Sequence, residues 1–242
     1  MRSTNNKAIN SYTLKLLSTS ILPILLSFTS LAGDIDSTQL TKIKEEGPIT
    51  STKKIENKVW PEVTVKTFIP AGALESAAIF AAFDYQHTYI PNLTESEVVK
   101  EKVKDKKNEI HVRYIMDMPW PISDSEYING HSFSKDESRK SYQVDWFMVK
   151  SDSAEELKGS ASFSPFPGDE ENTLMIYKAH VTPKSFMAGA LRKFMIRDVK
   201  ASVQATVDEV KKLKKEDSKL LKKYSDIFSD ILSGKQAYLL KS

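Results

Sequence analysis

The longest regular pattern of apolar and polar positions in the chain runs over residues 183–213. Thr182 followed by Pro183 is a favourable start for a helix there. Charged and amide side chains occupy one side of the pattern. The apolar positions recur at steps of three, four and seven and include Met187, Leu191, Met195, Val199, Val203, Val210 and Leu213. This spacing predicts one amphipathic helix about 45 Å long, which needs a large apolar partner.

An antiparallel sheet is the predicted partner, because the segments before this helix alternate between apolar and polar positions with a period of two. Short polar turns join these segments, so neighbours in the chain should pair as hairpins. An alanine-rich helix is expected over 73–83, after the first strand. About seven strands are predicted, over residues 59–69, 96–103, 109–118, 126–133, 140–150, 155–164 and 172–182.

Residues 1–32 have the features of a secretory signal peptide. Three positive charges and no negative charge precede the apolar stretch 16–31, and Ser30-Leu31-Ala32 has the small-x-small form at which signal peptidase cleaves. The alternative is a retained membrane anchor, but the apolar stretch is short for a span and Pro23 interrupts it. Cleavage after Ala32, and a location outside the cytoplasm, are therefore expected.

Two polar segments flank the predicted domain, which extends over residues 58–213. Residues 33–57 contain few large apolar side chains and are expected to be a flexible lead, or one short helix near 37–44. Residues 214–242 are lysine-rich with an apolar stripe and form a predicted amphipathic helical extension. We expect it to dock on the domain. The alternative is contact with an anionic membrane, but Asp217, Asp226 and Asp230 dilute its basic face.

Composition and charge exclude several classes of function. The chain has no cysteine, so it has no disulfide, no thiolate metal site and no cysteine nucleophile. A secreted chain without disulfides suits a bacterial periplasm. Removing Arg2, Lys7 and Lys15 with the signal segment leaves 32 of the 35 basic residues, against 32 acidic ones. A neutral mature chain argues against nucleic acid as a partner.

Motifs for cofactors or catalysis are absent from the sequence. No pair among His87, His111, His131 and His180 has metal-ligand spacing. There is no Gly-x-Ser-x-Gly elbow and no glycine-rich phosphate loop. We therefore predict no catalytic residue, no metal and no cofactor. His111, Arg113 and Asp117 share a strand face that is either solvated or part of a polar cluster, and the solvated interpretation is preferred.

The order of elements resembles the START (StAR-related lipid transfer) family of the helix-grip, or SRPBCC / Bet v 1-like, superfamily. The resemblance covers residues 59–213. Its most specific part is the proline-bounded junction 118–127, in which Ser123-Asp124 stands where the family has an arginine-aspartate or similar polar pair. Other matches are the strand tryptophan Trp146, the Thr-Pro-x-Ser segment 182–185 and Asp84-Tyr85 after the first helix.

The resemblance implies an α+β helix-grip fold, in which a curved antiparallel sheet of about seven strands wraps around the long C-terminal helix. It also implies a cavity between them that holds a lipid or other apolar molecule. Part of the same apolar stripe could equally be plain core. The candidate cavity residues are Tyr114, Met116, Tyr142, Val144, Trp146, Met187, Leu191, Phe194 and Met195.

Three functions are compatible with such a fold. The preferred one is non-enzymatic binding or transfer of a lipid or hydrophobic small molecule outside the cytoplasm. Transient contact with a membrane surface is expected near Trp120 and Phe166, since aromatic side chains suit that interface. The alternatives are an enzyme that uses the same cavity and an interaction module whose cavity is filled by side chains. The sequence does not set the oligomeric state.

Overall fold

A computed structural model describes residues 35–100, 109–120, 123–184 and 188–235 of the 242-residue chain. The helices in this part are α1 (Ser37–Glu45), α2 (Ala73–Phe80), α3 (Ala188–Glu216) and α4 (Ser218–Leu232). The strands are β1 (Ile49–Lys53), β2 (Glu62–Ile69), β3 (Leu93–Lys100), β4 (Glu109–Met116), β5 (Ser125–Asp136), β6 (Ser141–Ser151), β7 (Ala154–Phe166) and β8 (Asp169–Pro183).

All eight strands belong to one antiparallel sheet with the order β1-β2-β8-β7-β6-β5-β4-β3. Strand β1 pairs with β2, strands β3 to β7 each pair with the next strand in the chain, and β8 returns beside β2. The core lies between one face of this sheet and helices α2 and α3. Helix α2 contacts β6, β7 and β8, and α3 contacts β2 and β8. The predicted α+β architecture, an antiparallel sheet with a long C-terminal helix, is confirmed.

Strand β1 accounts for the difference between seven predicted and eight observed strands. It lies in the segment expected to be a flexible lead and pairs with β2, with Ile49 opposite Lys66. Its sequence is mostly threonine, serine and lysine, and it forms an edge of the sheet. An edge strand with little buried surface needs no apolar alternation, so the pattern did not reveal it. Helix α1 corresponds to the alternative of a short helix, and the Asp36 carboxylate caps it by accepting the Gln39 N–H at 2.8 Å.

The predicted start of the long helix at Pro183 is wrong. Pro183 is the last residue of β8 and stands opposite Ala154 of β7. The residue before a proline prefers an extended backbone, so Thr182 suits the end of a strand as well as a helix cap. Helix α3 is described from Ala188, and the predicted Met187 lies outside the described residues.

Helix α4 packs on the domain beside α2. Its apolar side chains Leu221, Phe228 and Ile231 are buried. The Phe228 ring meets Phe133 and Tyr142 edge-on, with centroids 5.7 and 6.2 Å apart. The lysine-rich face of α4 is therefore the solvent side of a docked helix. None of the helices in the described part of the chain is both long and apolar enough to cross a membrane.

Candidate ligand-binding site

A cavity of about 210 Å³ lies between the sheet and the first half of α3. The sheet contributes side chains from β3 to β8, and α2 with the turn that follows it contributes Phe80 and Phe83. Met195, Val199 and Val203 line the cavity from α3. Most of the wall is apolar or aromatic, which is typical of a site for a hydrophobic molecule.

Strand register explains which side chains form the floor of the cavity. Alternate residues of a strand point to the same face, so Asn129, His131 and Phe133 of β5 are all buried. His131 stands opposite Trp146 of β6, and Trp146 stands opposite Gly159 of β7. These pairs place the imidazole of His131, the indole of Trp146 and the backbone of Gly159, which has no side chain, in one row across the sheet.

Gly159 makes room for the Trp146 ring. A Cβ atom added at Gly159 would fall 2.5 Å from Trp146 Cε2, and closer still to Cζ2 and to the Lys178 carbonyl oxygen. The indole therefore lies across the place where any other side chain would stand. The centroid of the indole is 5.1 Å from that of the Tyr177 ring and 6.0 Å from that of the Phe80 ring, so the three rings form a continuous aromatic surface.

Three buried polar side chains interrupt this apolar surface. The hydroxyl of Tyr114 and Nε2 of His131 are 3.0 Å apart and share one hydrogen bond. Asn129 lies between Tyr127 and His131 on the same strand face. Asn129 Oδ1 and His131 Nδ1 are both buried and have no hydrogen-bond partner among the described residues.

Burial keeps both ends of the Tyr114–His131 pair uncharged. It lowers the pKa of His131 to about 3, and the nearby His111 acts in the same direction. Burial raises the pKa of Tyr114 well above its ordinary value, with nearby tyrosines adding to the effect. At neutral pH the pair is therefore a phenol and a neutral imidazole. Either group can donate the hydrogen bond to the other, and neither carries a charge.

Asp198 is the carboxylate that α3 places at the cavity wall. Burial raises its pKa, and the hydrogen bond that Asn92 Nδ2 donates to Asp198 Oδ1 at 2.8 Å opposes that rise. The backbone carbonyl oxygen of Asn92 also accepts a hydrogen bond from the backbone N–H of Asp117 at 2.8 Å. Asn92 has a φ of 62°, a left-handed conformation that asparagine tolerates well. This residue thus connects α3 to the segment that follows β4.

Solved structures with the same arrangement include a STAR-related lipid transfer protein from Xanthomonas axonopodis, with a TM-score of 0.60 and 15% identity over 69% of this chain and 94% of that one. Human STARD10 has a TM-score of 0.61 and 12% identity, over 82% and 89% of the two chains. The Zhui aromatase/cyclase from Streptomyces sp. R1128 has a TM-score of 0.52 and 12% identity, over 64% and 96%. No protein-family model and no curated protein matches the sequence.

This chain has a START-like helix-grip fold. The resemblance inferred from the order of elements is therefore confirmed at the level of the fold. Identities of 12–15% show the fold alone, and the neighbours include both lipid transfer proteins and an aromatase/cyclase.

Four of the predicted cavity residues line the cavity of the START-like domain. They are Tyr114, Met116, Trp146 and Met195. Val144 and Leu191 are buried but belong to the surrounding core. The ligand contacts of all these residues remain predictions.

Three other predicted positions lie elsewhere or outside the described structure. Tyr142 contacts Phe228 of α4, at a part of the sheet that α4 covers. Phe194 is partly buried, with the Arg197 guanidinium 5.2 Å from its ring. Neither of them lines the cavity, and Met187 lies outside the described residues.

The sequence interpretation missed the polar part of the wall, formed by Asn129, His131 and Asp198. Alternation in β5 places Asn129 and His131 on the face of Phe133, but polar side chains in a strand usually indicate the solvent face. Arg113 does face outward, as preferred, and forms ion pairs with Glu95, Glu97 and Glu126.

The two aromatic residues expected at a membrane surface differ in exposure. Trp120, which follows β4, is 93% exposed. Phe166 is only 6% exposed, because its ring packs edge-on against Phe68 at 5.1 Å. The expectation is therefore wrong for Phe166. Within the described part of the chain, no group of three histidine or acidic residues is arranged to hold a metal ion.

Proposed function

We propose that the START-like domain binds a lipid or other hydrophobic molecule in this cavity, without chemical conversion, and carries it outside the cytoplasm. The observation that supports this most directly is an unfilled, mainly apolar cavity between the sheet and α3. An interaction module would use side chains to fill that space. The fold shared with proteins named for lipid transfer adds support.

The size of the cavity limits the ligand. A cavity of about 150 Å³ is enough to bind benzene, and pockets for drug-sized ligands begin near 300 Å³. The observed 210 Å³ lies between these values. A ligand with long chains would require α3 to move away from the sheet. The Asn92–Asp198 hydrogen bond is a contact that such a movement would break.

Export and membrane contact are part of the proposal. Residues 1–32 have the charge and apolar pattern of a signal peptide, and the chain has no cysteine, which suits a bacterial periplasm. Trp120 is exposed only four residues after Met116, a cavity-wall residue. An exposed tryptophan in that position would hold the cavity close to a membrane during ligand exchange.

Native mass spectrometry of the mature chain, residues 33–242, tests the binding function. We expect a stoichiometric adduct whose chemical class follows from solvent extraction. Val199→Trp, which fills the cavity from α3, should abolish the adduct, whereas the control Val149→Trp on the exposed face of β6 should retain it. The proposal fails if the mass is that of the free chain and a panel of lipids and small hydrophobic molecules does not raise its Tm.

Catalysis is the second candidate function. Asp198 and the Tyr114–His131 pair line one cavity, and burial displaces the pKa of all three groups. Displaced pKa values within one pocket are a common feature of active sites. The extracted ligand distinguishes the two functions. A carrier returns it unchanged after prolonged incubation, whereas an enzyme converts it and loses that conversion in Asp198→Asn.

A further inference from the structure

We infer that the cavity recognises an uncharged ligand that carries a hydroxyl group, through Asn129 and the Tyr114–His131 pair. This inference rests on the proposed binding function and specifies the chemical class of the ligand. It rests on three observations: two buried polar atoms without partners, the hydrogen-bonding capacity of the groups around them, and the charges that line the cavity.

Asn129 and His131 are 5% and 4% exposed, and each has a polar atom without a hydrogen-bond partner in the described structure. A buried polar atom that makes no hydrogen bond costs about 1–3 kcal/mol of stability. Native proteins contain few of them, and those that occur call for an explanation. Both residues belong to the cavity wall. A ligand that reaches them would relieve this cost.

The three side chains form one polar cluster on an aromatic floor. Tyr114 stands opposite Tyr127 and stacks on its ring at 5.2 Å, yet its hydroxyl bonds to His131, four residues further along β5. The Tyr114 side chain therefore extends along β5 across the position of Asn129. The Phe83 ring lies 4.1 Å from the imidazole of His131. The polar cluster is thus surrounded by apolar surface.

Hydrogen-bonding capacity favours a hydroxyl over other polar groups. The Asn129 Oδ1 atom needs a donor, which a carbonyl or ether group cannot supply. In the neutral imidazole of His131, Nδ1 donates if Tyr114 donates to Nε2, and accepts if Nε2 donates to Tyr114. A hydroxyl group has one O–H donor and two acceptor lone pairs. It therefore donates to Asn129 Oδ1 and accepts from His131 Nδ1 when Nδ1 carries the proton, which is the tautomer in which Tyr114 donates to Nε2.

The charges around the cavity favour a neutral ligand. No lysine or arginine lines the cavity among the described residues, so a phosphate or carboxylate would be buried without a counter-charge. Asp198 is the carboxylate of the wall, and it already accepts a hydrogen bond from Asn92. His131 stays neutral at physiological pH. An anionic head group is therefore disfavoured.

Three probes of similar size test this inference by isothermal titration calorimetry of residues 33–242 at pH 7. They are 4-ethylphenol, ethylbenzene and 4-ethylbenzoate, which differ in the hydroxyl group and the charge. We expect 4-ethylphenol to bind at least about tenfold more tightly than ethylbenzene, and the benzoate not to bind. In ¹⁵N spectra, the Nδ1 signal of His131 should shift with 4-ethylphenol and not with ethylbenzene.

Two variants assign the preference to the polar cluster. Asn129→Leu and Tyr114→Phe should reduce the preference for 4-ethylphenol to less than about twofold, while Ser202→Ala, on the α3 side of the cavity, should preserve it. Equal affinities of the two neutral probes for the unaltered chain would overturn the inference and leave the binding function intact, with a water molecule serving the polar cluster. If neither neutral probe binds, this inference fails, and the binding function is decided separately by the native mass and the lipid panel.

Discussion

The substitution Gly159→Ala tests how the cavity floor is built. The new Cβ would fall 2.5 Å from Trp146 Cε2 and closer to the Lys178 carbonyl oxygen, whereas carbon atoms in contact prefer about 3.5–4.0 Å. The indole must therefore move by about 1 Å. Such movement would disturb its packing on Tyr177 and Phe80.

The expected magnitude follows from two opposing effects. Overpacking of a well-packed core costs about 1–3 kcal/mol. Replacing a glycine in a strand by alanine stabilises the fold by about 0.5–1 kcal/mol, because the unfolded chain then loses less conformational entropy on folding. The net loss should be at least about 1 kcal/mol, because one of the crowded atoms belongs to the β8 backbone and cannot rotate away. In a domain of this size, each kcal/mol corresponds to roughly 2–4 °C in Tm.

Urea unfolding followed by tryptophan fluorescence measures this loss, with near-ultraviolet circular dichroism reporting the movement of Trp146. Gly189→Ala is the matched control, because nothing lies within 4 Å of its added Cβ and it is in helix α3. The control should stabilise the chain by up to about 1 kcal/mol. Equal effects of the two substitutions, or an unchanged dichroism spectrum in Gly159→Ala, would refute the described packing of Trp146.

Three further predictions concern buried groups. The pKa of His131 is about 3 in the folded chain and 6.5 ordinarily, so at acidic pH the unfolded chain binds a proton that the folded chain does not. The free energy of unfolding should therefore fall by up to about 1.4 kcal/mol per pH unit as the pH drops below 6.5. Urea titrations should show a smaller fall in His131→Gln. Tyr85→Phe removes a 2.5 Å hydrogen bond from the buried Glu209 carboxylate and should cost about 1–3 kcal/mol in urea unfolding. Phe228→Ala should cost about 3–5 kcal/mol in the same assay, whereas a loss below about 1 kcal/mol would contradict the docking of α4.

Periodicity was a sound guide wherever an element has one buried face. Val63, Val65 and Ile69 of β2 alternate with more exposed residues, and the period-two pattern follows directly from the geometry of a strand. In α3, Val203 and Val210 are buried at the predicted helical spacing. The element order that suggested the START-like fold depends on these patterns alone.

Periodicity could not distinguish cavity from core. Tyr142 shares a strand face with Val144 and Trp146, yet only Trp146 lines the cavity. Helix α4 covers the sheet at Tyr142, and which helix covers which row depends on how distant segments pack. A register shift at Ile128 and Asn129 leaves Val149 of β6 unpaired and further disturbs the alternation in β6.

The sequence by itself determined the class of fold, the amphipathic face of α3 and the absence of cysteine chemistry, because these depend on residue type and on spacing within single segments. Only the tertiary structure decided that Asn129 and His131 are buried, that Gly159 accommodates Trp146 and that Asp198 faces the same cavity. Each of these features joins strands or helices far apart in the chain. Their energies arise from burial and contact across the sheet, which no local pattern encodes.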